Sequence, residues 1–150
     1  MTDGSMSGRS EERSYCPSAQ PDWKGSFAFG IVEGTPQRPE VRYLSQPVVV
    51  SQELLELTKP VSPTEVLRFA APCAASGCQH FISKGGVCRL AVKIVEHAPV
   101  AGPELPACVV RSVCRWFKQE GIKACLRCPL VVTDRYSSDP LLRRVADPLT

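Results

Sequence analysis

Eight cysteines stand at positions 16, 73, 78, 88, 108, 114, 125 and 128, and seven of them fall between 73 and 128. Thiolates are soft donors, and four of them converging on a point hold zinc or an iron–sulfur cluster. Cys108, Cys114, Cys125 and Cys128 make one complete set, spaced C-x5-C-x10-C-x2-C. Cys73, Cys78 and Cys88, spaced C-x4-C-x9-C, supply three more ligands, with His80 or an exogenous group as a fourth. A crossed pairing between the two groups is equally compatible with the spacing. Cys16 stands apart in a Ser/Pro/Glu-rich leader and reads as a bystander.

Spacing and charge bear on which metal. Structural zinc sites commonly use two tight pairs. Here only Cys125 and Cys128 form a C-x2-C pair, and the wider gaps suit a cluster whose corners are spread out. Residues 73–128 carry eight Lys/Arg against three Glu, a local +5 that leaves −2 for the rest of the chain. Such charge offsets any anionic thiolate site. The iron–sulfur reading, with 4Fe-4S as the cluster type, ranks ahead of zinc, and zinc ahead of disulfides or inert thiols. The string CLRCPL resembles the C-P ending of the bacterial ferredoxin ligand run and the C-x-x-C-P stretch of the WhiB-like iron–sulfur regulators. The latter need a further cysteine downstream that this chain lacks through residue 150, so their fold and regulatory role are not carried over.

Each residue also has a plainer reading. Cys73, Cys88 and Cys114 fall on apolar stripes and could be small buried hydrophobes. His80 could be a surface residue, and His97 suits the C-terminal end of a helix dipole. Trp116 and Phe117 read as core beside the metal, where they would keep water off it. Arg111, Arg115 and Lys118 line one helix face, either solvated or a docking surface for an acidic partner or phosphates. A thioredoxin-like use of Cys125 and Cys128 lacks its βαβ context. No Gly-rich phosphate loop, H-E-x-x-H or G-x-S-x-G string occurs, and no acid–base pair stands out. The expectation is a redox carrier or accessory protein rather than an enzyme.

The elements that must position these residues follow from patterning. The 150 residues suit one domain, and 14 prolines with 7% aromatics favour short elements around a thin core that a metal would staple. Residues 1–22 read as a disordered leader. SFAFGIVEG and EVRYLSQPVVV read as a hairpin, with Phe27, Phe29 and Ile31 on its buried face. Ser51 caps a short helix. Ser62, Pro63 and Glu65 open a second helix, expected to run on through Ala71 and carry Cys73 on its apolar side. Residues 73–88 read as a loop turning at Gly85–Gly86. A helix follows Cys88, with Cys88, Ala91, Val92 and Val95 on one face. Another runs from Ala107 to Gly121, its stripe formed by Val109, Val110, Val113, Cys114, Trp116 and Phe117. Residues 122–134 read as a turn, and 140–146 as a short helix.

The expected fold is therefore α+β. A hairpin and helix scaffold (23–72) leads into a cysteine-rich, mainly helical metal-binding half (73–128) within one domain, 23–136, followed by a tail, 137–150. No apolar run is long enough to span a bilayer, and no secretory h-region is seen, so the expected compartment is the cytoplasm, where stable disulfides are rare. The expected function is an iron–sulfur protein in electron transfer or redox sensing, serving a larger redox or cluster-dependent enzyme. The alternative is a zinc-stabilised adaptor that binds protein or nucleic acid through its basic helix face, and nucleic acid is the less favoured partner.

Overall fold

The computed structural model of the chain describes residues 14–35, 39–73, 78, 80–82, 86–102, 104–131, 140 and 144–145. Strands β1 (Tyr15–Ala19), β2 (Phe27–Gly34), β3 (Pro39–Val49) and β4 (Leu67–Pro72) form an antiparallel sheet in the order β1-β4-β2-β3. β2 and β3 pair as a hairpin from Phe27 opposite Val49 to Gly34 opposite Pro39; residues 36–38 of its turn lie outside the described residues. The register slips between Ala28 and Gly30, and a Cβ at Gly30 would stand 2.6 Å from Val41 Cγ1. A glycine is what lets β3 close on β2 at this irregularity.

Two expectations about the scaffold fail. β1 lies within the stretch 1–22 assigned to the leader; residues 1–13 lie outside the described residues. Its five residues are too few for composition to mark, and pairing with β4 supplies the order. The second helix, α2 (Pro63–Val66), starts with Pro63 at its first turn as its capping signals require, then stops after that turn and becomes β4. β4 lies between β1 and β2 and is covered on both faces, Phe69 and Ala71 in one buried cluster and Ala70 in another, so Arg68, Phe69, Ala70 and Ala71 are all buried. A strand covered on both faces reads as an unbroken apolar run, which spacing alone does not separate from a helix. Before it, α1 (Gln52–Glu56) is capped by Ser51, whose Oγ accepts from the Leu54 amide at 3.1 Å.

The second half begins with a small hairpin, β5 (Phe81–Ile82) and β6 (Val87–Cys88), which returns through Gly86 at φ 63°. Within this segment residues 74–77, 79 and 83–85, including Gly85, lie outside the described residues. α3 (Arg89–His97) buries Leu90, Ala91, Lys93 and Ile94, while Val92 and Val95 are half-buried. The buried stripe is thus rotated from the one expected, because Lys93 turns inward and donates Nζ to the Arg144 carbonyl at 2.9 Å.

The helix expected from 107 to 120 is broken. A 3-10 turn (Arg111–Val113) ends at Cys114, whose backbone is extended at φ −74°, ψ 127°, and α4 (Arg115–Glu120) starts after it. Three valines and Ser112 ahead of Cys114 lower helix preference there. Gly121, at φ 76°, closes α4 and leads into α5 (Ile122–Cys125), and a second 3-10 turn spans Cys128–Leu130. Residues 122–130, expected as a plain turn, are therefore helical turns on either side of Leu126 and Arg127. Of the expected 140–146 helix, residues 140 and 144–145 are helical and the others lie outside the described residues.

The result is a mixed α+β fold. One buried cluster in the helical layer joins Leu90, Ala91 and Ile94 to Trp116, Leu130 and three cysteines, Cys88, Cys114 and Cys128. A second lies within the sheet around Ala19, Ala28, Phe69 and Ala71. Phe29, Ala70 and Val110 form a third, with Tyr43 and Cys108 against it, and this one binds the layers together. Among the described residues no helix is long and apolar enough to cross a membrane.

Candidate metal centre

Cys108, Cys114, Cys125 and Cys128 line one pocket between the sheet and the helical layer. Each reaches it from a different piece of chain. Cys108 precedes the first 3-10 turn, Cys114 separates that turn from α4, Cys125 ends α5, and Cys128 opens the second 3-10 turn. The C-x2-C segment is anchored on both sides. Arg127 donates Nε to the Ala98 carbonyl at 2.8 Å and Nη1 to the Lys123 carbonyl at 2.9 Å, and the Ala101 amide bonds the Leu126 carbonyl at 2.8 Å. Phe29 and Tyr43 from the sheet, Pro17 from β1, and Trp116 close the other walls. Cys125 also lines a second, more open pocket with Glu40, Glu104 and Pro129, so it is the thiol of the four nearest an exit.

Arg68 is the unusual residue of this region. It is 2% exposed, in a strand covered on both faces. Its Nε and Nη2 donate to the Pro17 carbonyl at 3.2 and 2.8 Å, and Nη1 to the Cys128 carbonyl at 2.8 Å. Nη2 also donates to Cys128 Sγ at 3.2 Å, and the guanidinium carbon lies 5.6 Å from the centre of the Phe29 ring. None of these partners is a carboxylate. Burial pulls the Arg68 pKa down, but Cys128 and Tyr43, and then Cys16, outweigh it and hold the group charged. Buried charge is costly unless an anion faces it. The groups able to become anions around Arg68 are thiols and a phenol.

Other donors in the pocket want acceptors. Trp116 Nε1 and Arg111 Nε are buried with no hydrogen-bond partner among the described residues, and both residues line the pocket. Two of the thiols, Cys114 and Cys108, are pushed toward the neutral form in the metal-free protein. Burial pushes Cys114 up to about 12, with the Cys128 and Cys125 thiols adding to the rise, while the amides of Phe117 and Trp116 oppose it. Those amides face the sulfur without closing a strict cap hydrogen bond. Cys108 is raised for the same first reason, burial, partly offset by the Val110 amide and by Arg111. Tyr43 is raised by burial, by Cys128 and by a side-chain hydrogen bond with it. Low-dielectric surroundings, several thiols and unused N–H donors are what a bound cation with anionic ligands would relieve.

The second group sits on the far side of β1. Cys73 follows β4, and its amide donates to the Ser14 carbonyl at 2.8 Å. Cys73 therefore does not project from a helix face, because the chain ahead of it is a strand. Cys88 ends β6 opposite Phe81, and Cys78 accepts from the Phe81 amide through its carbonyl at 3.1 Å. His80 enters through its main chain, donating N–H to Cys78 Sγ at 3.4 Å and accepting from the Arg89 amide at 2.7 Å. His97 lies away from both groups on the exposed end of α3, 3.7 Å from Glu96.

The three basic residues read as one helix face are separated by the break at Cys114. Arg111 donates to the Pro106 carbonyl and borders the pocket. Arg115 donates to the Gly86 carbonyl at 2.6 Å and stacks 5.5 Å from the Phe81 ring centre. Lys118 is exposed.

Among the described residues, which include all eight cysteines, no disulfide is formed, and no group of three or more His, Cys, Asp or Glu is drawn together around a point as a metal ion would hold it. Sequence reasoning missed Arg68, Tyr43 and Cys16. The one readable signal was Arg68 itself, a lone charge inside the apolar run VLRFAA. Comparison with family models, with curated proteins and with solved structures returned no match.

Proposed function

We propose that this chain is a small iron–sulfur protein of the cytoplasm that transfers electrons or senses redox state as the accessory partner of a larger enzyme. Cys108, Cys114, Cys125 and Cys128 would hold a 4Fe-4S cluster. The observation that carries this reading is Arg68, a buried guanidinium with no carboxylate partner among the described residues, whose fork closes on Cys128 beside a pocket lined by four cysteines. A cluster bound there would supply one-electron redox chemistry and the anion that Arg68 lacks. Arg68 then places positive charge and an N–H donor against a ligand sulfur, which favours the reduced state and raises the potential. Trp116, Phe29 and Tyr43 exclude water from three sides. Trp116 Nε1 and Arg111 Nε gain sulfur acceptors. Cys125, beside the open pocket, marks the side through which an electron would most readily pass. The +5 charge of residues 73–128, with Lys118 exposed, favours an acidic docking surface on the partner.

The test is anaerobic purification after growth with iron and sulfide, followed by a visible spectrum and counts of iron, zinc and acid-labile sulfide. A brown protein with about four iron and four sulfide per site supports the proposal, and Cys125→Ser should lower both counts. A colourless protein with stoichiometric zinc would end the electron-transfer reading and leave a zinc-stabilised adaptor in its place.

A further inference from the structure

Cys16, set aside as a bystander from its place in the chain, lies beside Cys73 in the fold. In β1 it lies opposite Ala71 of β4. Cys73 is two residues beyond Ala71, and its amide is tied to the Ser14 carbonyl. Residues placed in this way on adjoining antiparallel strands are diagonal neighbours on one face, with Cβ atoms about 7 Å apart or less. That separation suits two corners of a cluster. Cys88 pairs with Phe81 across the small hairpin, and the Phe81 amide donates to the Cys78 carbonyl at 3.1 Å, so both cysteines neighbour Phe81. The Gln119 side chain clamps Cys88, accepting from its amide at 2.8 Å and donating to its carbonyl at 3.0 Å. The two pairs approach each other beside α4: Tyr15, next to Cys16, bridges to Cys114 where α4 starts, and Gln119 of α4 holds Cys88. In keeping with this, burial first, and then Cys88, Cys73 and Cys78, raise the pKa of the Cys16 thiol.

We propose that Cys16, Cys73, Cys78 and Cys88 form a second four-thiolate site for an iron–sulfur cluster, with Cys16 in the place of an imidazole or exogenous ligand. The inference rests on the iron–sulfur reading of the first site for the class of its ligand. Ligation releases one proton from each of the four thiols, and all eight cysteines are then used. The two sites share a wall. Pro17 lines the first pocket, Cys16 precedes it in a strand whose successive residues face opposite sides, and Tyr15 bridges to Cys114. Arg68 ties this wall to the first site, bonding the carbonyl of Pro17, next to Cys16, and Cys128 Sγ.

The experiment reconstitutes the wild type, Cys16→Ser, His80→Ala, Cys114→Ser and the Cys16→Ser/Cys114→Ser double variant with ferrous iron and sulfide under anaerobic conditions. Iron and sulfide counts are read together with the paramagnetic resonance of the reduced protein. The wild type should hold about eight iron and eight sulfide, each single cysteine variant half of that, His80→Ala the full amount and the double variant none. Reduced wild type should show two interacting signals, and Cys16→Ser one isolated signal. Cys73→Ser serves as the independent variant if Cys16→Ser does not fold, and it should also halve the counts. A wild type with only one cluster, kept in full by Cys16→Ser and lost in Cys114→Ser, overturns the second site and leaves the first standing. Halving by His80→Ala but not by Cys16→Ser overturns the role of Cys16. Zinc lost from Cys16→Ser in place of iron overturns the cluster at this site. A wild type without iron overturns both sites.

Discussion

Arg68→Met removes the buried charge and keeps most of the side-chain volume. In the wild type Nη2 lies 3.2 Å from Cys128 Sγ, so the guanidinium sits at the edge of any cluster held by that sulfur. With about 7 Å between the guanidinium and an added electron, and an effective dielectric constant of about 20, Coulomb's law gives about 2.4 kcal/mol. For a one-electron couple that is about 100 mV. The variant's cluster should therefore be harder to reduce, with its potential about 100 mV more negative. The assay is protein-film voltammetry on the fraction that retains a cluster. Arg68→Lys keeps the charge but loses the forked bonds to Pro17 and Cys128, and it should move the potential by less than half as much. A shift below about 20 mV in Arg68→Met, or a shift to more positive potential, would mean that the charge does not face the redox centre. The explanation for a buried arginine without a carboxylate would then be lost.

Four further outcomes follow from the same contacts. Arg111→Glu puts a carboxylate beside four thiols and should cut iron content by more than half, whereas Lys118→Glu, on an exposed position, should leave it unchanged in the same assay. Gly30→Ala drives a methyl to 2.6 Å from Val41 and should cost about 1–3 kcal/mol in urea unfolding without changing the iron per folded molecule. Ser51→Ala removes the acceptor for the Leu54 amide and should cost about 1 kcal/mol in the same experiment, again without effect on iron. Stripping the metal should loosen the helical layer before the sheet, because the cluster around Ala28 and Phe69 contains no cysteine and the one around Trp116 contains three. Hydrogen exchange should rise first in α3 to α5, and an equal rise in β2 and β3, which carry neither Arg68 nor a cysteine, would contradict this division.

The parts of the fold legible in the sequence are those with strong local signals. The hairpin of β2 and β3 follows from apolar alternation, α1 from Ser51, the start of α2 from Ser62 and Pro63, and the close of α4 from Gly121. What was not legible depends on tertiary placement. β4 was hidden because a strand buried on both faces loses its alternation. β1 was hidden because Tyr15–Ala19 follows a polar leader and gains its order from pairing with a strand more than fifty residues later. Both errors concealed the same thing, the approach of Cys16 and Arg68 to the thiols, since each of those residues lies on one of the two misread strands.

That coincidence has a physical basis. A site of four soft ligands drawn from short, proline-broken segments needs a wall that holds its shape, and β4, hydrogen-bonded along both edges, supplies one. Placing a guanidinium in that strand is costly in a metal-free protein, where its bonds reach two carbonyls and one sulfur and no metal-bound thiolate faces it. The cost falls once Cys128 is a thiolate bound to metal. Folding of the sheet and filling of the site should therefore be linked: a bound centre should stabilise the wild-type sheet more than that of Arg68→Met, because only the wild type carries a buried charge to be relieved. A double comparison of urea midpoints, with and without metal, measures that linkage. Equal stabilisation of the two proteins would show that Arg68 and the metal centre are independent.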